Sequence, residues 1–95
     1  MTRTLIVFTS QNHAPVRVSN LVNVLRNGAT IRYIRAGRYR QPNGRYLYGY
    51  TFTLTAPVLF GYQSSQAERI RSIDSPLRAS APYFGVSYAG VNLSS

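Results

Sequence analysis

Apolar and polar residues alternate in different rhythms along this chain, and each rhythm predicts an element. Residues 3–10, Arg-Thr-Leu-Ile-Val-Phe-Thr-Ser, form a β-branched and aromatic run that closes in polar residues, as a buried strand does. Gln11 to Ala14 reads as a loop. Pro15 suits the first turn of a helix, where its missing N–H has no partner to lose. Val18, Leu21, Val22 and Leu25 then recur at i, i+3, i+4 and i+7, and Gly28 stands where a helix stops, so a helix is expected over 15–27.

The rhythm then changes to period two. Residues 30–39 read as a strand, and Gln41-Pro42-Asn43-Gly44 reads as a turn, with Asn-Gly favouring a tight hairpin. In the second arm, 45–55, Tyr46, Tyr48, Tyr50, Phe52 and Leu54 alternate with Leu47, Gly49, Thr51 and Thr53. Successive strand residues point to opposite faces, so the aromatics share one face and the small residues the other. Tyr50 and Phe52 are expected in the core, Tyr46 and Tyr48 beside the turn at the surface.

Ala56-Pro57 ends the hairpin, and residues 57–68 are open between loop and short helix, with Ser65-x-x-Glu68 as a possible capping box. Residues 69–73, Arg-Ile-Arg-Ser-Ile, alternate as a strand does. Ser75-Pro76 reads as the start of a short helix that Pro82 ends. Residues 83–91 are apolar and aromatic and predict a final strand, with a frayed polar tail after Asn92. Residues 1–95 make a single domain, and the expected class is α+β: a small antiparallel sheet with one or two helices packed on one face. Such a sheet leaves its other face free for a ligand.

Charge sharpens the picture. The chain has eleven arginines, no lysine and two acids, for a net charge of +9, divided as +3 in residues 1–31, +5 in 32–50 and +1 in 51–95. Residues 32–50 hold five arginines, five tyrosines and no acid. Arginine meets phosphate through a planar fork and stacks on bases. Uncompensated positive charge on one hairpin repels itself, and a polyanionic partner relieves that repulsion.

Other chemistry is scarce. Without cysteine there is neither a disulfide nor a thiolate metal site. One histidine, His13, and two acids, Glu68 and Asp74, leave little for a metal centre or a base-activated nucleophile, so no metal, no cofactor and no catalytic residue is expected. No apolar run approaches the roughly 18 residues of a membrane span, which predicts a soluble protein of a cell interior or a virion with no membrane partner.

The motifs between Phe8 and Leu54 resemble the replication-initiator endonuclease domain of circular single-stranded DNA viruses. Phe8-Thr9-Ser10-Gln11-Asn12 is similar to that family's first motif. Tyr33-Ile34-Arg35-Ala36-Gly37-Arg38, then Pro42-Asn43-Gly44-Arg45, then Tyr46-Leu47-Tyr48-Gly49-Tyr50 follow the order of its strand, turn and second motif. Downstream, Tyr83 falls near the family's catalytic tyrosine. The departures lie at the chemistry. The metal-serving Glu and His of the family are Arg38 and Tyr46 here, the usual Gln is Tyr48, the lysine after the tyrosine is Val86, and Pro82 sits where the family has a helix. The resemblance therefore implies a domain that kept the fold and the DNA-facing sheet and lost the nicking step. Tyr83 is then expected to be a packed aromatic.

The resulting expectation is a non-catalytic nucleic-acid-binding domain for single-stranded DNA or RNA. Arg32, Arg35, Arg38, Arg40 and Arg45 would meet phosphates, and Tyr39, Tyr46 and Tyr48 would stack on bases. The alternative is a small viral structural protein or oligomeric scaffold, since strand-rich chains with exposed aromatics also associate with their own copies.

Overall fold

A computed structural model describes residues 2–25, 30–55 and 65–94. The elements run β1 (Thr2–Thr9), α1 (Pro15–Val22), a 3-10 turn (Asn23–Leu25), β2 (Thr30–Arg40), β3 (Tyr46–Thr55), α2 (Gln66–Phe84) and β4 (Tyr88–Ser94). The four strands form one sheet in the order β2-β3-β1-β4, and every neighbouring pair is antiparallel. This is the β-α-β-β-α-β order of two interlocked split β-α-β units, the ferredoxin-like arrangement. The α+β class and the antiparallel sheet expected from the pattern are both present.

Both helices lie on the same face of the sheet, because both carry an apolar stripe with one place to bury it. Val18, Leu21 and Val22 of α1 and Ile73, Leu77 and Ala81 of α2 pack on Leu5, Val7, Tyr50, Phe52, Leu54 and Leu93. Tyr50 and Phe52 are fully buried, as their period-two position predicts. Among the described residues, the other face of the sheet carries no helix.

Three expectations need correction. Residues 69–73 are helical, not a strand, and Pro76 and Pro82 lie inside α2 instead of bounding a short helix. Each proline removes an N–H and costs about 3 kcal/mol in a helix interior. Local and tertiary terms offset this: the Ser65 hydroxyl accepts from the Glu68 N–H at 3.2 Å, and the buried residues at i, i+4 and i+8 anchor the helix to the core. Gly85 closes it at φ 66°, a left-handed conformation that glycine adopts without strain. The tail does not fray at Asn92, since Asn92, Leu93 and Ser94 pair with Ile6, Leu5 and Thr4.

Two boundaries also shift. α1 gives way to the tighter 3-10 turn at Asn23, a common way for a helix to close its last turn. In the hairpin, Pro42 and Asn43 take the central positions, with the Gly44 N–H donating to the Gln41 carbonyl at 2.9 Å and Gly44 left-handed at φ 85°. This is the longer turn in which a left-handed glycine follows, not a two-residue Asn-Gly turn. The helix stop at Gly28, the hairpin end at Ala56-Pro57 and the stretch 57–64 lie outside the described residues.

Candidate nucleic-acid interface

The Arg/Tyr segment forms β2, the turn and the start of β3, so its side chains are sorted by strand register. From Thr30 to Tyr33 the register with β3 is regular: Ile31 and Tyr33 stand opposite Leu54 and Phe52 on the helix side. The register shifts between Tyr33 and Arg35, leaving Ile34 as an extra residue. A bulge of one residue inverts the alternation downstream of it. Arg35, Gly37 and Tyr39 therefore pair with Thr51, Gly49 and Leu47 on the open face. Ala36, Arg38 and Arg40 pair with Tyr50, Tyr48 and Tyr46 on the helix side.

The eight residues expected to form one surface are thus divided. Arg32, Arg35 and Tyr39 stand on the open face. Arg38, Arg40, Tyr46 and Tyr48 stand on the helix side, where the hairpin extends past α1. Arg45 sits at the turn between them. All five arginines are exposed, as are Tyr39 and Tyr46, while Tyr48 is half-buried.

On the open face, the register aligns Gly37, Gly49, Phe8 and Gly90 in one row across the four strands. The glycines leave the floor low, and two aromatics occupy it. The Tyr39 ring leans back over Gly49, so closely that a Cβ on Gly49 would lie 2.3 Å from Cε2 of Tyr39. Tyr39 also meets Phe8 edge-on, with ring centroids 5.5 Å apart and planes at 86°. One side of Tyr39 is packed and the other faces solvent, with 37% of the residue exposed. Phe8 was hidden in the sequence because Leu5-Ile6-Val7-Phe8 shows no alternation. Only the second face of β1 reveals that Ile6 and Phe8 point away from Leu5 and Val7.

On the helix side, the Arg38 guanidinium lies over the Tyr46 ring at 5.1 Å, a cation–π contact that fixes both side chains. Beside them opens a cavity of about 270 Å³ lined by Asn12, Ala36, Gly37, Arg38, Tyr48 and Tyr50. Asn12 belongs to the β1–α1 loop and entered the sequence reading only as the last residue of the Phe8–Asn12 motif, with no binding role assigned. That loop is clamped from two sides. The Tyr50 hydroxyl donates to the His13 carbonyl at 2.9 Å and accepts from the His13 N–H at 2.8 Å. Nε2 of His13 accepts from the Ser87 N–H at 3.0 Å.

The His13–Ser87 pair is a clasp and lacks the arrangement of a catalytic dyad. The Ser87 hydroxyl does lie 2.9 Å from Nε2 of His13, but the Ser87 N–H already occupies that lone pair. A general base needs the lone pair free for the nucleophile's proton. Among the described residues, no three of His, Asp and Glu stand together as metal ligands do. Tyr83, expected to be packed, is 89% exposed in the last turn of α2, which continues through Pro82. The carboxylate needed to compensate the hairpin is also elsewhere. Asp74 on α2 pairs with Arg78 at 3.2 Å and accepts from the Tyr88 hydroxyl at 2.5 Å. These two hydrogen bonds, Tyr88 first, hold its carboxyl below the usual carboxylate range. Burial, then Asp74, pushes the Tyr88 hydroxyl far above the usual tyrosine range.

Comparison with known proteins adds no relative. No family model, curated protein or solved structure matches this chain. Among the described residues, no helix is long and apolar enough to cross a membrane. The reading of the site rests on its own geometry.

Proposed function

We propose that this chain is a non-catalytic nucleic-acid-binding domain that takes single-stranded DNA or RNA on its Arg/Tyr hairpin. The observation that carries the reading is the open sheet face. Arg35 stands there one row from the Gly37–Gly49–Phe8 row that holds the Tyr39–Phe8 pair, and Arg32 one row further, with neither a helix nor an acidic residue on that face among the described residues. A four-stranded sheet with exposed aromatics stacks bases on its open face, and arginines beside them neutralise the phosphates. Fold alone implies no function, so the weight falls on these side chains. The resemblance to the replication-initiator domain agrees with the reading, because Arg38 and Tyr46 stand where that family holds its metal and leave a surface that grips a strand without cutting it.

The test is fluorescence anisotropy of a labelled 20-mer, titrated at two salt concentrations, with RNA and duplex DNA as competitors. A single strand that engages all five hairpin arginines gives a slope of log affinity against log salt near about −3.5. A variant with Arg32, Arg35, Arg38, Arg40 and Arg45 changed to Gln flattens that slope. Equal binding by parent and variant, or no binding at low salt, sinks the proposal.

A second reading, an oligomeric scaffold, draws on β4. This strand, Tyr88–Ser94, lies at a sheet edge and carries no charge, whereas the opposite edge, β2, carries arginines that block strand pairing; the register shifts once on each edge strand. Light scattering that finds a concentration-dependent oligomer without nucleic acid favours this reading.

A further inference from the structure

Resting on the nucleic-acid reading above, we infer that the helix-side cavity is a pocket for a single unstacked nucleobase of the bound strand, with Arg38 and Arg40 holding the flanking phosphates. This assigns the two sides of the hairpin different tasks. The open face stacks bases without regard to identity, and the cavity receives one base and reads its edge.

Size, walls and charge all bear on this. Pockets for drug-sized ligands run from about 300 to 1,000 Å³, so a solvent-open cavity of about 270 Å³ has room for one flat heterocycle. Tyr48 supplies the accessible aromatic wall, and Tyr50, itself buried, backs the cavity as its inner wall. The Tyr50 hydroxyl both donates to and accepts from the His13 backbone, so that wall is rigid. The space exists because position 36 is alanine: Ala36 stands opposite Tyr50, where any larger side chain would fill the gap. At the rim, the Asn12 side-chain amide makes no hydrogen bond within the described residues and is exposed. An amide offers one acceptor and two donors, the complement of a base edge.

Charge names the occupant. Arg38 lines the cavity and Arg40 follows on the same side of the strand, and both are exposed with no carboxylate in ion-pair distance among the described residues. The Tyr46 ring already occupies one side of Arg38, holding its guanidinium at the mouth. An uncharged aromatic ligand would leave these cations uncompensated, whereas a nucleotide fills the cavity and neutralises them together. β2 is an edge strand, so a strand lying on Arg35 and Tyr39 reaches Arg38 and Arg40 by rounding that edge.

The experiment fills the cavity without touching charge. Ala36→Leu and the parent are compared by anisotropy on an oligothymidylate, and on a series in which one abasic nucleotide is moved along it. The parent is expected to lose about 5- to 150-fold in affinity when the abasic position falls on the pocketed base. Ala36→Leu is expected to lose a similar factor on the intact strand, to keep the parent's salt slope, and to become indifferent to that abasic position. Asn12→Ala, which removes an exposed side chain that makes no hydrogen bond within the described residues, is expected to flatten any preference among strands carrying A, C, G or T at that one position. Failure of the parent to bind any single strand overturns the proposed function itself. Binding by the parent with Ala36→Leu equally tight and equally sensitive to abasic sites overturns the pocket alone. Should Ala36→Leu not fold by circular dichroism, Asn12→Ala decides: an unchanged base preference overturns the pocket.

Discussion

Replacing Gly49 with alanine separates binding from stability more cleanly than removing a ring. A Cβ at this position lies 2.3 Å from Cε2 and 2.7 Å from Cδ2 of Tyr39, and 3.3 Å from Cγ2 of Ile6. Carbon atoms rest at about 3.5–4.0 Å, so the Tyr39 ring must retreat by roughly 1.2 Å or more. It has room to do so, being partly exposed on an edge strand. The retreat breaks its edge-on contact with Phe8, which costs about 0.5–1.5 kcal/mol. Alanine in a strand interior recovers about 0.5–1 kcal/mol relative to glycine. The net change stays within about 1 kcal/mol, a shift in Tm of no more than about 4–8 °C for a domain of this size. Binding responds differently, because the displaced ring no longer offers its face beside Phe8. Loss of one base stack costs about 1–3 kcal/mol, or about 5- to 150-fold in Kd. Thermal unfolding and anisotropy on the same preparations read the two effects, with Tyr39→Ala as reference and the double variant expected to lose nothing further. A folded Gly49→Ala protein with unchanged affinity, beside a weakened Tyr39→Ala, refutes the idea that the glycine row positions the stacking ring.

Three further outcomes test the scaffold. Asp74 has its pKa lowered from the usual 3.8, so its ionised form stabilises the fold above that value and the contribution disappears as pH falls through the lowered one; Asp74→Asn should therefore be less stable at neutral pH and lose part of the acid sensitivity below about pH 4, and an unchanged stability-versus-pH curve by denaturant titration contradicts the assignment. Gly85→Ala forces a side chain into φ 66° and places its Cβ 2.6 Å from Nη1 of Arg17; unfolding should register a loss of about 1–2 kcal/mol, mostly backbone strain because the arginine tip can move. His13→Ala leaves the Ser87 N–H without its acceptor, which predicts a loss of about 1–3 kcal/mol and faster amide exchange at Ser87; parent-like protection there removes the clasp from the account.

The parts of this protein legible in its sequence are those governed by neighbours along the chain. Pro15 and the i, i+3, i+4 stripe placed α1, and the Tyr50–Phe52–Leu54 alternation assigned a buried face to β3; Ser65-x-x-Glu68 offered a cap, but the stretch it lies in stayed open between loop and short helix. The concentration of arginine and tyrosine at 32–50 was equally plain. Local rules misread α2, because Pro76 and Pro82 are breakers by propensity while burial of Ile73, Leu77 and Ala81 belongs to the core they meet. They also could not separate the hairpin's two surfaces. Which face Arg38 or Tyr39 occupies depends on the bulge at Ile34, and that bulge is a mismatch between two strands, not a property of either. Phe8 and Asn12 joined the site for the same reason: each is brought beside the hairpin by strand pairing and by the clamp on the β1–α1 loop. Composition determined that this surface is cationic and aromatic. Tertiary register alone decided that it has two sides, because side-chain direction in a sheet reverses with every residue and one inserted residue reverses all that follow.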